Sequence, residues 1–190
     1  MGLRLLVGLG NPGPRYAGTR HNLGFEWAGR LAEADGAEWR AFKDLGELAR
    51  SPGTPGLAYA RPHTFMNLSG RMVAEVCRKS GIRPQEVLVA LDDMSLPLGQ
   101  LRLRASGSSG GHNGLQSILD AFGTKDVPRL RMGIGRSETG RDAADHVLSR
   151  FSPPEKAAVK DMLDRAVEAA GVALAEGLDA AMTRFNALAR

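Results

Sequence analysis

The sequence predicts one α/β domain, residues 1–190, built on a mixed and mostly parallel sheet flanked by helices. Three observations predict it. Apolar runs of strand length occupy residues 3–7, 87–91 and 130–134, and each stops at a glycine or an aspartate. Segments with apolar residues at helical spacing lie between them, the alternation expected of strands packed by helices. The chain of 190 residues, 43% apolar, is the size of a single well-filled core.

The elements follow in order. Residues 3–7 form a buried strand. Residues 8–20 carry Pro12, Pro14 and several glycines, which exclude helix. Leu23, Trp27 and Leu31 recur at helical spacing and predict a helix over 23–34 with Asn22 as its N-cap. Between 38 and 61, Trp39, Phe42 and Tyr59 alternate with Ser51-Pro52-Gly53 and Pro55-Gly56, which predicts short strands joined by turns. Leu68, Met72, Val76 and Cys77 mark a second helix, capped by Asn67 and stopped by Gly81. Residues 87–91 form a second buried strand ending at Asp92-Asp93. Residues 100–104 alternate Leu101 and Leu103 with Arg102 and Arg104, a strand with two unlike faces. A polar glycine loop over 106–114 leads into a third helix through Leu115, Ile118, Leu119 and Phe122, ended by Gly123. Another strand spans 130–134. Pro153 opens a final helical region expected to break near Gly171 and again near Gly177.

Composition narrows the function. The net charge of +4 and pI near 9.6 lean towards an anionic partner. Cys77 is the only cysteine, so no internal disulfide forms and a reducing compartment is expected. No run of about 18 apolar residues suggests a membrane span, and the first apolar run is too short for a signal peptide. These features predict a cytoplasmic protein.

Three motif matches fail on physical grounds. Gly8-Leu9-Gly10-Asn11-Pro12-Gly13 fits the dinucleotide-binding glycine pattern, but that pattern needs a helix to begin at once. Pro14 disfavours helical backbone at Gly13. The acid needed at the end of a second strand is missing too, which weakens a nucleotide-dependent oxidoreductase. Gly107-Ser108-Ser109-Gly110-Gly111 fits a nucleophile elbow, yet the helix starts about five residues after Ser109. Asp145 and His146 are adjacent and cannot face each other on a helix. The histidines at 21, 63, 112 and 146 have no short ligand spacing and there is no second cysteine, so a structural zinc is not expected.

A constellation of amides remains. Of five asparagines, Asn11, Asn22, Asn67 and Asn113 lie in the polar turns, three of them just before helices. Asparagine is a good N-cap, which accounts for such placement by itself. The same geometry also serves a site. Strand C-terminal ends and helix N-termini face one crevice in an α/β sheet, and amides there suit a neutral polar substrate and a held water. His21 lies just before a helix start, where the positive helix end disfavours imidazolium and keeps the ring able to accept a proton. Asp92, ending the second buried strand, is the candidate to fix its tautomer. His63 and His146 read as structural, and Cys77 as core.

These stretches together resemble the bacterial-type peptidyl-tRNA hydrolases over residues 3–188. The resemblance rests on Val7-Gly8-Leu9-Gly10-Asn11-Pro12-Gly13, Tyr16 with Thr19-Arg20-His21-Asn22, Thr64-Phe65-Met66-Asn67 with Ser69-Gly70, Asp92-Asp93 with Leu96-Pro97-Leu98-Gly99, Gly110-Gly111-His112-Asn113-Gly114-Leu115, and Arg129-Leu130-Arg131 with Gly133-Ile134-Gly135. It implies an esterase that cleaves the bond between a peptide and the 3′ ribose of tRNA, as a monomer, without metal or cofactor. It implies His21 as base, Asp92 as its partner and Asn11 as stabiliser of developing charge. It places Asn67 and Asn113 on the water and peptide, with Tyr16, Phe65 and Met66 as further substrate contacts. Arg131, Arg102 and Arg104 would face the tRNA. Two departures stand out. Ser95 occupies a position where the family often has aspartate, and Arg136-Ser137-Glu138 replaces the usual proline after the Gly-x-Gly turn. The competing function is a non-catalytic RNA-binding protein on the same fold.

Overall fold

The computed structural model of the chain describes residues 2–136 and 142–186. Ser137 and Glu138, one of the two departures, lie outside them. Seven strands form one sheet in the order β2-β3-β4-β1-β5-β7-β6, where β1 is Leu5–Gly8, β2 Trp39–Phe42, β3 Gly46–Arg50, β4 Ala58–Pro62, β5 Val87–Asp93, β6 Leu101–Arg104 and β7 Arg129–Gly133. The four central strands β4, β1, β5 and β7 run parallel. The flanking β2, β3 and β6 pair antiparallel. This is the mixed, mostly parallel sheet the sequence predicts.

Both faces of the central strands are buried, which explains their uninterrupted apolar runs. Leu5, Val7, Val87 and Val89 face helices α2 (Ser69–Ser80) and α3 (Asn113–Phe122). Leu6, Leu88, Ala90, Leu130 and Met132 face α1 (Leu23–Ala34) and α5 (Glu155–Ala175). The indole N–H of Trp27 donates to the Ala166 carbonyl at 3.0 Å, joining α1 to α5 in that layer. Two shorter helices complete the chain, α4 (Ala143–Leu148) and α6 (Leu178–Asn186). No helix among the described residues is long and apolar enough to cross a membrane.

The helix boundaries correct several expectations. α1 has the predicted limits, but the Asn22 side chain makes no capping bond. α2 is preceded by a 3-10 turn, Met66–Leu68, so Leu68 takes the cap position and Asn67 stays exposed within the turn. Asn113 is the first residue of α3, and His112 caps it, its Nδ1 accepting the Leu115 N–H at 3.3 Å. α5 runs through Gly171 without a break, because Ala169, Ala170, Val172 and Ala173 hold that turn against the sheet. α4 lies in the 136–150 stretch, which sequence periodicity left unassigned.

The glycines of Gly8-Leu9-Gly10 serve close packing. A Cβ at Gly8 would stand 2.0 Å from the Gly24 carbonyl oxygen, and one at Gly10 would meet the Phe25 ring at 2.7 Å. A Cβ at Gly24 would lie 2.4 Å from the Leu9 nitrogen and 2.5 Å from the Ala90 oxygen. The start of α1 therefore touches the ends of β1 and β5 backbone to backbone. Since only backbone could give way, Gly24→Ala should lower unfolding free energy by about 3 kcal/mol or more. A denaturant midpoint unchanged from wild type would contradict this packing.

Candidate active site

The contact through Gly24 sets the site. His21 sits in a 3-10 turn, Arg20–Asn22, directly before α1, while Asp92 lies near the end of β5. His21 Nδ1 is 2.8 Å from Asp92 Oδ1. The same carboxylate oxygen lies 3.2 Å from His112 Nε2, and the two imidazole rings are 5.0 Å apart at 44°. His112 thus belongs to the site, although the sequence assigned it no role. Its only sequence signal is its place between two glycines and the start of α3.

Hydrogen-bond partners assign the protons. Nδ1 of His112 accepts from the Leu115 N–H, so its hydrogen sits on Nε2 and points at Asp92. A carboxylate only accepts, so His21 donates from Nδ1 and keeps an unprotonated Nε2. That is the tautomer a general base requires. Asp92 is 4% exposed. Burial by itself would push its carboxyl up, but the hydrogen bonds from His112 and His21 outweigh that and hold it well below the usual carboxylate range.

His21, Asp92 and His112 each offer one ligand atom, and these atoms lie within 4.8 Å of one another, a donor set that a divalent cation can use. Sequence spacing could not reveal it, because the histidines come from different elements. In the present arrangement both facing nitrogens carry hydrogens at hydrogen-bond distance. A cation would have to take their lone pairs and break the His112 cap on Leu115.

Asn22 has a role other than capping. Its Oδ1 accepts the Asn11 N–H at 2.8 Å and its Nδ2 donates to the Asn11 carbonyl at 2.9 Å. The prolines stiffen the turn after β1, and Asn22 ties that turn to the His21 turn. Asn11, His21, Asp92, His112 and Asn113 all line one cavity of about 720 Å³. Its far side is α4, through Ala143, Ala144, Val147 and Leu148. His146 also lines it, and its Nε2 bonds the Gly135 carbonyl at 3.0 Å, so it pins α4 to the chain after β7.

The remaining predicted residues sit elsewhere. Asn67, Phe65, Met66 and Tyr16 do not line this cavity. Phe65 is 79% exposed and Asn67 is exposed. Met66 is buried, its Sδ only 2.5 Å from where a Cβ on Gly114 would stand, so its turn flanks the start of α3. Tyr16 is half-buried, with the Arg15 guanidinium 4.5 Å from its ring centre. The arginines share one face, since register sets Arg102 opposite Arg131 and Arg104 opposite Arg129. Arg131 pairs with Asp93 and reaches Ser95 Oγ at 3.1 Å. Ser95 also donates to Asp93 through its N–H and its hydroxyl, at 2.7 Å each. The serine at this position therefore braces the Asp93–Arg131 pair. Arg104 is exposed and has no ion pair among the described residues. Arg129 is buried, spent on the Val127, Ser108 and Lys125 carbonyls. Cys77 is buried, its thiol pushed up to about 12 by burial, an inert core residue as expected.

A parallel-centred α/β sheet that gathers an imidazole, its buried carboxylate and amide side chains at its strand ends has the arrangement that a water-activating hydrolase requires. Comparison with known proteins agrees. The peptidyl-tRNA hydrolase family profile matches residues 5–190, and the chain belongs to that family. It is 47% identical to a peptidyl-tRNA hydrolase of Elusimicrobium minutum, over 97% of this chain and 99% of that protein. It is 49% identical to one of Symbiobacterium thermophilum, over 96% and 98%. The crystal structure of a peptidyl-tRNA hydrolase from Acinetobacter baumannii superposes with a TM-score of 0.90 at 32% identity, covering 97% of this chain and 95% of that one.

Proposed function

We propose that this chain hydrolyses the ester between a peptide and the 3′ ribose of tRNA, with His21 as general base. The observation that carries the mechanism is the 2.8 Å His21–Asp92 contact beside Asn11 in one cavity. His21 Nε2 takes a proton from water as the water oxygen attacks the ester carbonyl carbon. Asp92 stabilises the imidazolium that results. Asn11 and Asn113 are the amides that hold the water and donate to the carbonyl oxygen as charge develops on it. Collapse breaks the carbon–oxygen bond to the ribose, and the imidazolium returns its proton to the ribose oxygen. Free peptide and tRNA leave, no covalent intermediate forms, and no metal or cofactor takes part.

Asn67, Phe65, Met66 and Tyr16, outside the main cavity, take part of the substrate beyond the reacting bond. Arg104, Arg102 and Arg131 meet the phosphates, with Asp93 orienting Arg131. The working unit of this reading is a monomer, and its compartment is the cytoplasm, where an unpaired cysteine such as Cys77 stays reduced. Non-catalytic RNA binding, the competing function, needs no buried carboxylate shared by two imidazoles.

The test is hydrolysis of an N-acylated aminoacyl-tRNA at several salt concentrations. Steady turnover is expected, with kcat/KM falling as salt rises, because phosphate contacts release counterions. No hydrolysis by purified wild type would overturn the proposal. A salt-independent kcat/KM would remove the arginine face from it.

A further inference from the structure

Arg20 stands beside the base but does not line the active-site cavity. It is 7% exposed, an unusual place for a full positive charge. Its Nη2 donates to both Glu155 carboxylate oxygens at 2.9 Å, and its Nε to Ser149 Oγ at 3.1 Å. Its guanidinium lies 4.5 Å from the Phe151 ring centre. Its main-chain N–H donates to the Ser149 carbonyl at 3.0 Å, and Thr19 forms an isolated bridge with Arg150. Every one of these partners lies between 149 and 155, the segment that leaves α4. Ser149 Oγ in turn donates to the His146 carbonyl at 2.7 Å. One buried arginine thus fastens the turn carrying His21 to the segment that follows the cavity-lining helix.

We propose that Arg20 is a positioning residue for the reaction, holding His21 at Asp92 by clamping its turn to Ser149, Phe151 and Glu155. This rests on His21 being the base. The turn is only three residues long and has no ladder of its own. Asp92 and Asn11 hold it on the cavity side, and Arg20 holds it on the other. An arginine suits the task because its several N–H donors serve Glu155 and Ser149 at once while its flat face packs on the Phe151 ring. Misplacing a catalytic group by about 1 Å costs roughly 10²-fold, so a partial loosening costs less.

The experiment measures kcat and KM of Arg20→Met, Arg20→Lys and Glu155→Gln on N-acylated aminoacyl-tRNA, at a temperature where circular dichroism shows each fully folded. It also follows the His21 Nδ1–H proton by NMR. Arg20→Met should lose roughly tenfold or more in kcat, with KM changed by less than about threefold, and its Nδ1–H should exchange faster with solvent. Arg20→Lys should recover part of the loss. Glu155→Gln keeps the Ser149 and Phe151 contacts and should show a smaller change in the same direction; it decides the matter if Arg20→Met does not fold. Arg30→Met, which removes two surface ion pairs, to Glu26 on α1 and to Asp164 on α5, is the control and should match wild type. Wild-type kcat and Nδ1–H exchange in folded Arg20→Met or Glu155→Gln would overturn the proposal. Failure of the underlying reading shows separately, as an active His21→Ala.

Discussion

Replacing His21 with alanine should lower kcat on N-acylated aminoacyl-tRNA by roughly 10²–10⁴-fold, the usual contribution of a general base. KM should change little, because the amides and arginines proposed to bind substrate remain. The protein should stay folded. His21 contributes one hydrogen bond to Asp92, and His112 continues to satisfy the buried carboxylate. The hydrogen bonds that hold Asp92 well below the ordinary carboxylate range keep it ionised at neutral pH, ready to stabilise the imidazolium. A His21→Ala variant within tenfold of wild type would remove His21 from the mechanism.

The sheet and the first three helices were legible because their patterns are strong. Leu23, Trp27 and Leu31 give α1 its spacing, and Gly81 and Gly123, both left-handed, end α2 and α3 where expected. That His21, Asp92 and Asn11 meet at one cavity was also legible, since each follows or ends a strand or precedes a helix on the same side of the sheet. The failures have one physical source. An amide or imidazole before a helix has several possible partners, and only the folded chain decides among them. Asn22 satisfies two main-chain groups of Asn11, which a cap could not do. His112 caps α3, the role expected of Asn113, and reaches Asp92 as well. α4 is six residues long, too short for its periodicity to stand out. Gly171 looked like a break because local propensity ignores the alanine face beneath it. Ser95 owes its role to the Asp93–Arg131 pair, which joins neighbouring strands far apart in sequence.

Asp92→Asn should cost roughly 10²-fold in kcat, or about 2.7 kcal/mol of transition-state stabilisation, and the size depends on His112. In a serine-protease triad, asparagine at this position lets the histidine adopt the wrong tautomer, and the loss is about 10⁴-fold. Here one oxygen, Oδ1, accepts from both imidazoles. His112 cannot change tautomer without breaking its bond from Leu115. An asparagine must therefore turn its oxygen towards His112, and so towards His21 as well. The geometry survives, and the loss is that of the carboxylate charge facing the imidazolium. Adding His112→Ala frees the amide to turn its NH2 towards His21, which then accepts at Nδ1 and carries its proton on Nε2, where it can no longer act as base. The double variant should fall at least roughly tenfold below Asp92→Asn, although His112→Ala alone costs less than about tenfold. Additive losses would show that His112 does not fix the orientation. Stability supplies an independent check of the charge. The folded carboxyl lies below its unfolded value of about 3.9, so its contribution is complete at neutral pH, begins to fade as pH drops below that value and is gone once pH passes the lower folded one. Wild type should lose stability below about pH 4 more steeply than Asp92→Asn, as measured by urea midpoints; parallel curves would mean that the Asp92 charge stabilises nothing.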